Sequence, residues 1–146
     1  MKYIKGGLLF YINLYISKMK INRLEVYNKC NGHCAYCGKD ITLKQMQVDH
    51  KEPIFRNYTD DELKRYNRDR GTNDMDNLLP SCARCNRWKS TYTIEQFRKE
   101  ISLQIERLNN YNNNYRMAKD YNLLQETNNP VVFYYEKGLG IGTPRT

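Results

Sequence analysis

Apolar residues fall in short, separated runs along this chain, and the spacing within each run predicts a small element. From Ile21 to Asn31, Leu24, Val26 and Tyr27 predict a short helix with an inward face, which Asn31-Gly32 ends. Ile41 to His50 contains the first strand of a hairpin, stopped by Pro53. Residues 54–76 are polar and rich in turns. Within them Thr59-Asp60-Asp61-Glu62 opens a short helix through Tyr66, and Gly71-Thr72-Asn73-Asp74 is a turn. Asn77-Leu78-Leu79-Pro80 reads as a second short strand and Cys82 to Lys89 as a helix. Thr93 and Gln96 form a capping box at the head of a helix running to about Leu108, with Phe97, Ile101, Ile105 and Leu108 on a core-facing stripe. Asn109 to Asn114 is an Asn-rich linker, Tyr115 to Leu124 another helix, Val131 to Tyr135 a short strand, and Gly138 to Thr146 a loose tail.

Residues 1–20 stand apart. Gly6 to Ile16 is apolar behind Lys2 and Lys5, yet no small-residue cleavage site follows it. The run is interrupted by Asn13 and is too short to span a membrane, and Met19 is a plausible alternative start. The chain therefore divides into an N-terminal extension (1–20), a motif-bearing domain (21–90) and a helical C-terminal extension (91–146).

Composition adds two constraints. The chain has 146 residues, of which 40% are hydrophobic, and a mean hydropathy of −0.86; so polar a chain builds a modest core and needs a staple such as a metal. The net charge is +8, and residues 1–90 hold 17 Lys/Arg against 10 Asp/Glu while residues 91–146 hold 7 against 6. The positive excess lies in the motif-bearing part, which favours a polyanion, nucleic acid first, over the plain reading of a soluble surface.

The five cysteines include two C-x-x-C pairs, Cys34/Cys37 and Cys82/Cys85. Vicinal pairs in a polar, non-secreted chain are metal thiolates more often than disulfides, and four sulfurs complete a closed tetrahedral zinc site with no open position for chemistry. Cys30 is left as a half-buried free thiol, and His33 as a surface residue. The zinc would tie together the ends of an insertion that contains Asp49, His50 and Asn77. Lys39, Arg84, Arg87 and Lys89 would offset the negative charge of the four-thiolate site. A histidine of near-neutral pKa suits the activation of water, and a carboxylate with an amide oxygen suits magnesium or manganese. Adjacent on a strand, Asp49 and His50 point to opposite sides, one toward a cation and the other toward water. Asn86, next to the last thiolate, is fixed by the same clamp. Arg65, Arg68 and Arg70 read equally as a solvated face or as phosphate contacts, and Trp88 reads as a packing residue.

The run Cys34-x-x-Cys37, Asp49-His50-x-x-Pro53, Asn77-Leu78-Leu79, Cys82-x-x-Cys85-Asn86-x-x-Lys89 resembles the HNH endonuclease family in its zinc-stapled form, over residues 22–90. The resemblance implies an α+β fold: a ββα-metal core stapled by a four-cysteine zinc site, with a mainly helical C-terminal extension. It implies a DNA-cleaving hydrolase in which His50 is the general base and Asp49 and Asn86 hold Mg²⁺ or Mn²⁺. Asn77 would steady the loop bearing the base, and Arg84, Arg87 and Lys89 would contact DNA phosphates. Asn86 stands where the family often has a histidine, which leaves the choice of ion open. The extension Thr93–Glu136 resembles those on small HNH proteins of tailed phages, implying a cytoplasmic setting, phage packaging proteins as partners, or a homing role.

Two other readings compete. A non-catalytic zinc-ribbon module binding nucleic acid needs the zinc and the charge but neither Asp49 nor His50. A zinc deaminase would use His50-x-Glu52 with Cys82 and Cys85, leaving Cys34 and Cys37 without a role, and Ser81 interrupts the Pro-Cys step of that signature.

Overall fold

A computed structural model describes residues 21–138. Residues 1–20 and 139–146, and with them the expected apolar extension and loose tail, lie outside the described residues. The elements in chain order are helix α1 (Arg23–Asn28), strand β1 (Gln47–His50), helix α2 (Asp60–Arg65), a 3-10 turn (Met75–Asn77), strand β2 (Leu78–Ser81), helices α3 (Ala83–Lys89), α4 (Ile94–Ser102), α5 (Gln104–Tyr111) and α6 (Asn113–Asp120), and a last 3-10 turn (Tyr134–Lys137). The class is α+β, a ββα unit made by β1, β2 and α3 with a helical C-terminal part.

β1 and β2 pair antiparallel with Asp49 opposite Leu79 and His50 opposite Leu78. β2 is buried along its whole length, because other elements use its second edge and its faces. Pro80 has no N–H to give, but its carbonyl accepts from Ala35 N at 2.8 Å, docking the first C-x-x-C knuckle. The Lys29 ammonium, from the end of α1, donates to the carbonyls of Met75 and Leu78. Val26, Met46, Leu78, Leu79, Tyr36, Phe97 and Phe133 form the core with the cysteines.

The strand expected from Ile41 is confined to Gln47–His50, since Thr42 and Gln45 close a turn before it. Leu24, expected inside, is exposed, and α1 buries only Val26. Both capping boxes form, Thr59 with Glu62 and Thr93 with Gln96. The helix expected to run unbroken to Leu108 stops at Leu103, where the Ser102 hydroxyl donates to the Lys99 carbonyl and competes with the helical ladder. Phe97 is buried, but Ile105, further along the expected core stripe, is exposed. The Asn-rich segment is helical rather than a linker: Asn112 caps α6 by accepting from Tyr115 N at 3.0 Å.

The strand expected over Val131–Tyr135 does not form. Tyr134 N and Tyr135 N donate to the carbonyls of Tyr36 and Ala35 at 3.1 and 2.9 Å, but the chain then turns into the 3-10 segment. Two hydrogen bonds followed by a turn dock this segment on the knuckle without extending a sheet. Phe133 slots in behind them, stacked on Phe97 (5.5 Å between centroids) and edge-on to Tyr36 (5.2 Å). Residues from 97 onward thus share one core with residues 26–82.

Candidate functional site: a thiolate cluster beside an Asp-His pair

Two knuckles meet at the head of α3. Gly38, in the left-handed region at φ +72°, lets the first knuckle turn so that its N–H reaches the Cys34 carbonyl. The second pair opens α3, with Cys82 at the cap position accepting from Cys85 N. The sulfurs of Cys34, Cys37, Cys82 and Cys85 all lie within 4.8 Å of one another, and Cys37 and Cys82 are 4.0 Å apart. A tetrahedron with bonds of about 2.3 Å has edges of about 3.8 Å, so the four fit one metal ion with little movement. Cys34 is pulled down to about 4, first by the hydrogen bond from Cys85 and also by backbone N–H groups, so the cluster already favours a thiolate. Arg84 sets its guanidinium against the Cys37 sulfur, which raises the Arg84 pKa and supplies the compensating charge.

Cys30 is free and fully buried rather than half-buried; burial, then Cys34, pushes its thiol up to about 11. The metal-holding group among the described residues contains Cys34 and Cys37 but not His50. That arrangement overturns the deaminase reading, which needs His50 on the metal and leaves those two cysteines idle.

β1 delivers Asp49 and His50 side by side. Asp49 is only 6% exposed. Its Oδ2 accepts from the Tyr36 hydroxyl and lies 3.2 Å from the Lys89 ammonium. Burial pushes the Asp49 pKa up, against the pull of Lys89 and Tyr36. Both partners converge on Oδ2, which leaves Oδ1 as the oxygen available to a cation. Lys89 itself is 0% exposed and also donates to the His50 carbonyl at 2.6 Å. It cannot reach a DNA phosphate, and the expectation that it does is corrected: its ammonium is used up inside the protein because a buried carboxylate requires a partner there.

The His50 ring reaches the turn before β2, where Nε2 donates to Asn73 Oδ1 at 3.0 Å. That bond leaves Nδ1 with the lone pair of the neutral ring. Asn77 brackets the loop after β1: its Oδ1 accepts from Glu52 N (2.9 Å), and its Nδ2 donates to the carbonyls of Glu52 (3.0 Å) and Thr72 (2.8 Å). Gly71 is required beside it, since a Cβ there would stand 1.8 Å from the Glu52 carbonyl oxygen. Asn86 is half-buried on α3, while Arg87 is exposed. Trp88, expected to pack, is 51% exposed.

A pocket of about 380 Å³ opens next to the Asp-His pair, walled by the loop from Pro53 to Tyr58 and by Ser90 and Thr91. Arg70 holds that loop, donating to the carbonyls of Ile54, Phe55 and Tyr58 and to Asp60. Arg68 lies over the Phe55 ring and donates to Gln96 and Thr91. Of the non-glycine residues with positive φ among the described residues, three are asparagines, which tolerate it; the other two, Phe55 (φ 44°) and Ser90 (φ 46°), both line this pocket. Each such residue costs about 1–3 kcal/mol, and strain of this kind collects at functional sites. Sequence reading passed over Tyr36, Asn73 and this loop. Only Tyr36 had a usable signal, a hydroxyl-bearing ring held between two metal-ligand cysteines.

With this geometry in place, comparison with known proteins is informative. Residues 34–91 match the model of a family described as HNH endonuclease. The chain also resembles the crystal structure of the Type II-C Cas9 enzyme from Actinomyces naeslundii, at 26% identity and a TM-score of 0.42, over 54% of this chain and 8% of that one. The match therefore spans a small part of that enzyme's length. A search of curated proteins finds no match. No helix among the described residues is long and apolar enough to cross a membrane.

Proposed function

We propose that this chain is an endonuclease that hydrolyses DNA phosphodiester bonds, with its four cysteines holding a structural zinc and a divalent cation, Mg²⁺ or Mn²⁺, acting at Asp49 and Asn86. The observation that carries the reading is the placement of Asp49 and His50, at the end of β1, on the wall of one pocket within the stretch that matches the HNH endonuclease family. The cation, when bound, neutralises charge on the scissile phosphate and its leaving oxygen. The chain's own groups do the rest. Tyr36 and Lys89 hold the Asp49 carboxylate by Oδ2. Asn73 keeps the His50 proton on Nε2, so that Nδ1 takes the proton of the attacking water. Asn77 fixes the loop that follows His50, and Arg84 and Arg87 on the exposed side of α3 are available to phosphates. A role beside phage packaging proteins, drawn from the extension's resemblance, belongs to the same proposal.

One observation favours a second reading, a zinc module that binds nucleic acid without cutting it. The Lys89 ammonium stands 3.2 Å from Asp49 and already balances the charge a cation would use. Supercoiled plasmid incubated with magnesium or manganese separates the two. Under the nuclease reading the wild-type chain relaxes the plasmid and His50→Ala, at matched zinc content, does not. Retained DNA binding with no relaxation by either protein would favour the second.

A further inference from the structure

We infer that the pocket beside Asp49 and His50 receives one unstacked nucleobase, on the ring of Tyr58, from a nucleotide flanking the phosphate that is cut. It follows that the chain takes single-stranded or locally opened DNA in preference to an intact duplex. The inference rests on the nuclease reading for the phosphate's place, but the pocket's preference for an unstacked base is tested without cleavage.

Four observations lead here. The first is size and lining: about 380 Å³, walled by Ile54, Phe55 and Tyr58 as well as by the Asp-His pair. That volume lies at the small end of ligand pockets, enough for one base and too small for a stacked pair of strands. The second is the aromatic pair. Phe55 and Tyr58 meet edge to face, 5.8 Å apart at 81°, and the Arg68 guanidinium sits 5.4 Å from the Phe55 centroid. Phe55 is thus held on two sides, while Tyr58 is 47% exposed and offers a ring face.

The third is rigidity. Arg70 ties three carbonyls of this loop to the head of α2, and Phe55 is held at a positive φ that a side-chain-bearing residue adopts only when its surroundings impose it. Strain of this kind collects at ligand clamps, and a preformed wall lowers the entropy lost on binding. The fourth is the rim, where the exposed Arg56 and Asn57 line the same pocket and can meet the phosphate and sugar of the inserted nucleotide. Bases inside a duplex cover each other's faces, so a ring can stack on one only after it has left the helix. Aromatic stacking on single strands is tolerant of sequence because every base has a π-face.

The test uses the full zinc-loaded chain without magnesium. A fluorescein-labelled single strand and its matched duplex are titrated by anisotropy, and 2-aminopurine placed in the strand reports its stacking environment. Wild type is expected to bind the single strand more tightly and to change the 2-aminopurine emission. Tyr58→Ala should lose roughly tenfold in single-strand affinity, together with the emission change, and stay within about twofold of wild type on the duplex. Tyr58→Phe should restore both. Tyr58→Leu, which keeps an apolar side chain but has no π-face, should fail as Tyr58→Ala does; this guards against a mere folding defect. Tyr111→Ala, at an exposed tyrosine on α5, should change nothing. Tighter binding of the duplex by wild type, equal losses on both substrates, or no loss in Tyr58→Ala would each overturn the proposal. If the single-strand preference and its dependence on Tyr58 hold while neither the plasmid nor the single strand is cut with magnesium or manganese, the nuclease reading falls and the base pocket stands.

Discussion

At the scale of single residues, the Lys89 ammonium shows how far a motif position can depart from the role its charge suggests. It touches no solvent and joins β1 to α3 through Asp49 Oδ2 and the His50 carbonyl. Removing one partner of a buried pair leaves the other uncompensated, which costs about 3–5 kcal/mol. Lys89→Met should therefore lower the stability of the zinc-loaded protein by about that amount, measured by urea denaturation. A phosphate contact would instead leave stability unchanged and reduce the salt slope of DNA binding by about one. The convergence of the four cysteines could be read from the sequence because spacing along the chain limits which ligands can meet. Lys89 could not, since a terminal lysine of a short helix looks the same whether it faces water or a carboxylate 40 residues upstream. Trp88 and Leu24 misled for the related reason that six- and seven-residue helices present too few turns to define a face.

At the scale of elements, the segment Val131–Lys137 has a fixed place without being a strand or an α-helix. Arg98 on α4 holds it: the guanidinium donates to the Val131 carbonyl at 2.7 Å and to both oxygens of Glu136, and covers the Phe133 ring at 4.7 Å. Glu136 closes the turn by accepting from Phe133 N at 2.9 Å. The Arg98 hydrogen bonds hold the Glu136 carboxyl below the usual range, ahead of the opposing effect of burial. A depressed carboxyl stabilises the fold above its unfolded value, near 4.3, and that contribution disappears as pH falls through the folded one. The difference in melting temperature between wild type and Glu136→Gln should thus be present at pH 6 and shrink at pH 3.5. An unchanged difference at both would show that the pair does not couple to folding. The apolar run 131–135 suggested a strand; its docking on the knuckle was not legible, because that depends on contacts almost a hundred residues away in sequence.

At the scale of the whole molecule, the described core is small and three of its members, Cys34, Cys82 and Cys85, belong to the cysteine cluster. Structural zinc sites contribute about 10–16 kcal/mol, as much as the entire net stability of a typical domain. The zinc-free chain should be unfolded: stripping the metal with a chelator should abolish the cooperative thermal transition, and one zinc per chain should restore it. A metal-free chain that melts at the same temperature would show that the core suffices. The α+β class and the metal clamp were legible because cysteine spacing and strand-turn patterns are local. The sharing of one core by the two halves was not, since it is carried by Phe97 and Phe133 meeting Tyr36. That sharing has a consequence for how the protein is made. A ribosome releases the knuckle and the Asp-His strand long before Phe133, yet the Tyr36 hydroxyl that holds Asp49 is packed in place by Phe133 and by hydrogen bonds from Tyr134 and Tyr135. A nascent chain still lacking those residues has Asp49 and His50 but not their alignment. On the proposed nuclease reading, synthesis order would then act as a safety catch, keeping half-made copies from working on the DNA around them.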